Sequence, residues 1–254
     1  MKALVINLAK ATDRMAFQRT QLGVLGIPFD RVEAVTPDTL DPGPSHRMWH
    51  RWQRPLRVTE MALTASHIAC WQRVIAEGQP MLILEDDAML SSDLPALLPR
   101  IETTAGIEHL GLETRGRKKL ISRLQHPGLP IRRMFQDRTG SAAYILFPKG
   151  ALRLITQTAT VAAPSDAAIS GCPGLISWQA DPALAVQLDI AETYGLAPPL
   201  PTTSSIDAVD KPPTTLRHRG RRIGAQLRIG LNQVLYAPVA HRRHVTPSEN
   251  WPRF

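Results

Sequence analysis

The sequence predicts an α/β protein, and three observations carry that reading. The chain opens with a continuous apolar run, Ala3 to Leu8, of the kind buried in a parallel sheet. A helical stretch and an alternating run follow at once, which makes a strand–helix–strand start. Further on, a strong helix from Thr59 to Gly78 leads into the apolar run Met81–Leu84. That run ends on three adjacent carboxylates, Glu85, Asp86 and Asp87.

Each element has its own signals. In the first helix Thr12 or Asp13 supplies a cap, Met15, Phe17, Leu22 and Leu25 supply the apolar positions, and Gly26 with Pro28 ends it. Phe29–Val35 alternates as a half-buried strand does. Thr36 to Pro55 holds Pro37, Pro42, Gly43 and Pro44 and reads as a long loop. The helix Thr59–Gly78 offers a buried stripe of Leu63, Ile68, Trp71, Val74 and Ile75. After the acidic trio, Ser92–Glu102 reads as a helix and Ile107–Glu113 as a strand. Thr114–Arg133 is basic and poorly periodic. A strand through Tyr144–Phe147 and a Pro-Lys-Gly turn precede a helix to Ile155, a short helix opens at Ser165–Asp166, and Asp181–Gln187 is a short apolar run. Beyond Ile190 the composition turns to Pro, Thr and Ser, as in a linker.

Composition narrows the function classes. The 254 residues are 43% hydrophobic and 20% charged, ordinary values for a globular chain that buries a core without staples. Cys70 and Cys172 show no motif spacing, so neither a disulfide framework nor a cysteine metal site is indicated. The N-terminal apolar run is too short for a signal peptide, and no run of about 18 apolar residues occurs. A cytoplasmic protein is expected.

The net charge of +8 sits at one end: nine Lys and Arg against Glu249 from Lys211 onward, and 21 of each sign before it. Ile223, Leu227, Leu231, Val234 and Leu235 share one helical face within Arg217–Tyr236, flanked by arginines. Such a helix lies on an anionic membrane surface or docks on the body with its basic side in water. Nucleic acid is not the expected partner, because no recognition motif or interleaved aromatics accompany the charge.

Three carboxylates at the end of a buried strand repel one another and are costly to desolvate. A divalent cation would offset that cost, and so would a solvated acidic turn. In open α/β sheets the carboxyl ends of the strands are where ligands bind. In "HRMWHRWQR" (His46–Arg54), Trp49 and Trp52 offer either a stacking face for an acceptor sugar or a core edge.

Several segments in order resemble glycosyltransferase family 25, the lipopolysaccharide and lipooligosaccharide glycosyltransferases. They are "VINLAKATDRMAFQRTQLGVLGIPFDRVEAV", "TASHIACWQRVIAEGQPMLILEDD", "GLET", "GSAAYILFPKGALRLI" and "PSDAAI", and they span roughly Lys2 to Gln187. Ala62 departs from the pattern, where the family often has Gly.

The resemblance implies a GT-A-type nucleotide-diphospho-sugar transferase fold, with a mixed, mainly parallel sheet flanked by helices, and an inverting transfer. It implies a metal site at Asp87 and Glu85, with Mn²⁺ or Mg²⁺, and Glu85 or Asp86 nearer the donor. It places Asn7 by the nucleotide, Arg14 by a phosphate or in solvent, and Ser66 and His67 beside the donor pocket. His67 alternatively is a satisfied core histidine. An inverting transfer needs a base for the acceptor hydroxyl. Asp166 is the first candidate, its alternative being a helix cap. Glu113 is the second, or else binds a sugar hydroxyl.

The expected organisation is a catalytic domain over residues 1–195 and a Pro-rich, basic amphipathic extension over 196–254. The expected function is transfer of a hexose, galactose or glucose, from a donor such as a UDP-hexose to lipopolysaccharide or another cell-envelope glycan. The site would be cytoplasmic, with the enzyme peripheral on the membrane's cytoplasmic face. The alternative is a non-catalytic glycan-binding relative tethered by its tail.

Overall fold

The computed structural model describes residues 1–138, 140–201 and 215–252. Residues 202–214, part of the expected Pro-rich stretch, lie outside the described residues. The chain begins with β1 (Ala3–Asn7), α1 (Thr12–Val24) and β2 (Phe29–Glu33), and β2 runs parallel to β1. Met15, Phe17, Leu22 and Leu25 of this unit are buried. Gly26 ends it at φ +65°, a conformation that costs a glycine little. The cap differs from expectation: Thr12 is the first helical residue, and Ala11 before it makes no side-chain bond.

α2 (Val58–Glu77) and β3 (Met81–Glu85) form the next unit, with β3 parallel to the other side of β1. The Glu60 carboxylate accepts the Arg57 backbone N–H at 2.8 Å and fixes the start of α2. Gly78 closes it in the left-handed conformation. The expected apolar stripe is only partly right. Trp71 and Val74 are buried, but Ile75 is 37% exposed and Thr64, Ser66 and His67 are wholly buried. The inward face of α2 meets polar groups and satisfies them, as when Trp71 Nε1 donates to the Tyr144 hydroxyl at 2.8 Å.

The remaining elements are β4 (Ala88–Leu90), α3 (Leu94–Glu102), β5 (His109–Gly111), β6 (Lys119–Ser122), β7 (Ile131–Gln136), β8 (Ala143–Leu146), α4 (Pro148–Thr158), α5 (Ser165–Ser170), β9 (Ser177–Ala180), β10 (Ala185–Gln187), α6 (Leu216–Tyr236) and β11 (Ala240–Arg243). Nine strands make one sheet in the order β11-β6-β7-β9-β5-β8-β3-β1-β2, and β10 pairs with β4 beside it. The sheet is mixed. Its parallel ladders are β1–β2, β1–β3 and β5–β9. β8 enters antiparallel between β3 and β5, and β7, β6 and β11 extend the sheet antiparallel.

Helices cover both faces. β3 sends Leu82 and Leu84 into a core with Leu22 of α1 and Leu94 and Ile101 of α3. It sends Met81 and Ile83 into a second core with Trp71 of α2 and Leu154 of α4. Each such side chain contributes about 1.5–3 kcal/mol by leaving water.

Two corrections concern the C-terminal half. The segment read as poorly periodic contains the paired strands β6 and β7, where Ile131 and Met134 turn inward while Arg132 and Arg133 stay half-buried. The expected boundary after residue 195 is crossed by the sheet, since β11 pairs with β6. The Ser91 hydroxyl donates to the Asn250 carbonyl at 2.7 Å, and the Ser248 hydroxyl to Asp93 at 2.6 Å. Among the described residues no helix is long and apolar enough to cross a membrane.

Candidate active site

The carboxyl ends of β1 and β3, the segment after β5 and the residues just before β8 meet at one edge of the sheet. β1 delivers Asn7 there, β3 delivers Glu85, and Glu113 and Ser141 follow from the other two. The three adjacent carboxylates are compensated in three different ways. Asp86 accepts from Asn7 Nδ2 at 2.8 Å and from Arg14 at 3.1 Å. Asn7 is itself fixed by Arg31, whose Nε donates to Asn7 Oδ1 at 2.8 Å. Two wholly buried glutamines of α1 hold the backbone beyond: Gln18 and Gln21 donate to the Ala88 carbonyl, and Gln21 accepts the Leu90 N–H at 2.7 Å.

Glu85 takes both of its bonds on Oε1, from Ser141 Oγ at 2.8 Å and His67 Nε2 at 3.3 Å. Burial pushes its carboxyl up, but His67 and then Ser141 more than offset this and hold it below the usual range. His67 is wholly buried and bonded to the Tyr144 hydroxyl at 2.9 Å. It therefore orients Glu85 from behind, where the sequence expectation set it beside the donor pocket. Ser66 is also removed from that expectation: buried, it accepts the Val35 N–H at 2.8 Å and donates to the Ala62 carbonyl at 3.0 Å. It ties the exit of β2 to α2.

Asp87 is the least compensated of the three. Among the described residues its side chain meets only Gln187 Nε2, at 3.5 Å. Burial and the charges of Glu85 and Asp86 push its carboxyl up to about 7. Arg115, paired with Asp189 at 2.7 Å, is a cation near Glu85, Asp87 and Glu113.

Glu113 is buried. Its Oε1 accepts the Ala142 N–H at 2.8 Å, and its Oε2 has no hydrogen-bond partner among the described residues. Burial pushes it up to about 8 against the pull of Lys119. Lys119 is itself held by Asp137 at 2.7 Å and by the Glu113 carbonyl at 3.0 Å. Asp166 stands at the start of α5, where its Oδ1 accepts the Ala167 N–H at 2.6 Å. Burial raises it, with Glu85 and Asp137 adding to the shift. A chain of bonds links this helix start to the acidic strand end: Ser165 Oγ lies 2.9 Å from Ser141 Oγ, which donates to Glu85.

The aromatic loop divides. Trp49 is 1% exposed, packs with Leu40, Leu56 and Met61, and donates to the Pro42 carbonyl at 3.1 Å. Its ring has no face open to an acceptor, which corrects that expectation. Trp52 is half-buried and keeps an open side. Arg54 is paired with Glu60 at 2.6 Å.

Sequence reasoning missed Ser141, Gln187, Arg115, Lys119 and Asp137. Their order along the chain carries no spacing signal, and only the sheet topology gathers them.

The donor set suits a hard divalent cation. Asp87 is a nearly unpartnered oxygen donor in surplus negative charge, and Oε2 of Glu85 is left over. Among the described residues no cluster of three His, Cys, Asp or Glu could hold an ion by itself. A cation here would take the rest of its shell from substrate phosphates and water, the usual habit of Mg²⁺.

Residues 1–119 match the model of glycosyltransferase family 25 (LPS biosynthesis protein). This N-terminal segment, slightly less than half of the chain, is similar to family 25 sequences. It carries Asn7, Arg14, Glu85 to Asp87 and Glu113, while Ser141 and Asp166 lie beyond the match. Two relatives are lacto-N-neotetraose biosynthesis glycosyltransferases of Neisseria meningitidis. LgtE of serogroup B is 33% identical over 107 residues, 39% of this chain and 36% of that protein. LgtB of serogroup A is 33% identical over 99 residues, 35% of this chain and 33% of that protein. The matched stretch thus spans about a third of either relative. A Drosophila galactosyltransferase 7 variant, solved with manganese, UDP-Gal and xylobiose, is 8% identical at a TM-score of 0.39, over 84% of this chain and 81% of that one. At that score the likeness bears no argument.

Proposed function

We propose that the protein is a glycosyltransferase that moves a hexose from a nucleotide-diphosphate donor, such as a UDP-hexose, to a lipopolysaccharide or other cell-envelope glycan. The observation that carries the proposal is the set Asn7, Glu85, Asp86 and Asp87 at the carboxyl ends of two neighbouring parallel strands, inside the segment that matches the family. Asp87 and Glu85 would hold Mn²⁺ or Mg²⁺, and a cation there would neutralise charge on the leaving diphosphate. Asn7 and Arg14, fixed by Asp86, face the donor, while Ser66 and His67 act by positioning.

The acceptor hydroxyl oxygen bonds to C1 of the hexose on the face opposite the diphosphate. The C1–O bond to the diphosphate breaks, and the anomeric centre inverts. The hydroxyl proton passes to Asp166, whose raised carboxyl is suited to accept and later release it. Glu113, nearly sealed from water, shapes the pocket floor through Ala142 and Lys119. The outer face of α6 rests on the anionic inner leaflet, which places the site near a lipid-linked acceptor.

The test is donor binding by the purified protein over a panel of nucleotide sugars, with Mn²⁺ and then with EDTA. Binding of one nucleotide hexose, lost with EDTA, is the expected result. Folded protein that binds none of them with metal present would favour a non-catalytic, glycan-binding relative.

A further inference from the structure

A cleft of about 620 Å³ lies beside the carboxylate cluster, between β7, the turn after α5 and the inner face of α6. Its lining is strongly basic: Arg117, Arg133, Arg138, Arg222 and Arg228 surround it, with Asp137 the one acid among the described residues. Asp137 is already paired with Lys119 at 2.7 Å. Among the described residues, none of these five arginines has a carboxylate partner. Other arginines do find one, as Arg115, Arg132 and Arg153 show.

Arg133 is set in place. Its guanidinium donates to the backbone carbonyls of Met134, at 3.0 Å, and Ser177, and it lies 5.6 Å above the Phe135 ring. Phe135 in turn stacks on Tyr236 of α6, with ring centroids 4.2 Å apart. A half-buried guanidinium fixed by neutral groups, among four others of the same sign, stores repulsion that an anion relieves. The planar guanidinium fork matches phosphate oxygens in pairs. The cleft also leads toward the candidate base. Ala167, next to Asp166, lines it, and so does Trp52.

We propose that this cleft is the acceptor subsite and that it selects a saccharide carrying phosphate groups. The arginines hold the phosphates, Trp52 lies along a sugar ring, and a hydroxyl is presented toward Asp166. The assignment of the cleft to an acceptor rests on the transferase reading above.

The probes are a bisphosphorylated glucosamine disaccharide, the same disaccharide without phosphate, and inorganic pyrophosphate. Each is titrated calorimetrically into the full-length chain and into R222Q/R228Q, two exposed positions on α6 whose substitution leaves the thermal midpoint in place. The bisphosphorylated sugar should bind the native chain about tenfold or more tighter than the other two probes, and lose about tenfold in the variant. Its binding should also weaken as salt is raised. Equal binding of the two disaccharides, no binding of either, or an unchanged affinity in the variant would overturn the proposal. Pyrophosphate binding as tightly as the phosphorylated sugar, with the same loss in the variant, would also overturn it, since the cleft would then be a general anion site. Nucleotide-sugar binding by the native chain is measured separately. Its failure alone removes the transferase reading and leaves the phosphosaccharide result standing.

Discussion

Asp86 and Asp87 are neighbours with opposite energetics. Asp86 is stabilised by an amide and a guanidinium, whereas Asp87 is buried beside two like charges with one long contact to Gln187. A carboxylate so placed favours binding a cation at the expense of the free fold. Replacing Asp87 by Asn keeps the shape and removes the charge. In EDTA, urea denaturation should then show a stability gain of ~1–2 kcal/mol, while metal-dependent turnover falls about 10²-fold or more. A destabilised variant that keeps its turnover would make Asp87 a structural residue. The trio itself was legible, because three adjacent acids after an apolar run stand out in any reading. Its partners were not. Ser141 lies 56 positions from Glu85, and Gln18 and Gln21 look like the solvent side of an amphipathic helix until the acidic turn folds over them. Trp49 stayed open between acceptor and core because a tryptophan beside arginines gives the same pattern on a surface and in a core.

The elements that sequence located best are those whose apolar pattern and stop signals agree: β1, α1, β2, α2 and β3. It missed β6, β7, β9 and β11. These strands are four to six residues long or alternate with arginines whose stems are buried and whose charged ends reach water. α6 was legible from its periodicity, and its two faces are used differently. Ala225, Ile229, Asn232 and Tyr236 turn toward the basic cleft. Ile223, Leu227, Leu231 and Val234 are 58–72% exposed on the opposite side. Arg221 ties the helix to the aromatic loop through the carbonyls of His50, at 2.9 Å, and Trp52, at 3.2 Å. An exposed apolar stripe flanked by arginines complements an anionic lipid surface. The protein should therefore sediment with vesicles containing phosphatidylglycerol and remain free of vesicles made only of phosphatidylcholine. Leu227→Asp with Leu231→Asp should lower that binding about tenfold or more. If the native protein ignores anionic vesicles and instead dimerises with rising concentration, the stripe is a self-association face.

At the scale of the whole molecule, two buried groups set opposite pH limits on the fold. His109 of β5 is 1% exposed, has no hydrogen-bond partner on either ring nitrogen among the described residues, and packs against Tyr144 at 5.5 Å between ring centroids. Burial, with the charges of Lys119 and Arg133, pushes it down to about 3. The unfolded chain takes up that proton near pH 6.5 and the folded one does not, so stability is full above 6.5 and is lost as pH falls toward 3. Glu113, pushed up to about 8, works the other way. Its folded form keeps the proton that the unfolded form gives up near 4.5, so stability is full below 4.5 and is lost as pH rises through 8. Between 4.5 and 6.5 the two slopes oppose each other. Below that window His109 acts without Glu113, and above it Glu113 acts without His109, each by up to ~1.4 kcal/mol per pH unit. Asp87, pushed up to about 7, draws stability down on the same side as Glu113, so the profile is read in metal-free Asp87→Asn, which should be most stable near pH 5.5 in urea titrations and weaker at both pH 4 and pH 8. In that background Glu113→Gln should remove most of the loss at pH 8, and His109→Phe, similar in shape without the titrating nitrogens, most of the loss at pH 4. Were the Glu113→Gln profile to run parallel to that of Asp87→Asn alone, Glu113 would be ionised in the fold. Lys119 would then be its counter-ion in preference to Asp137, and the pocket floor would carry a negative charge beside Glu85.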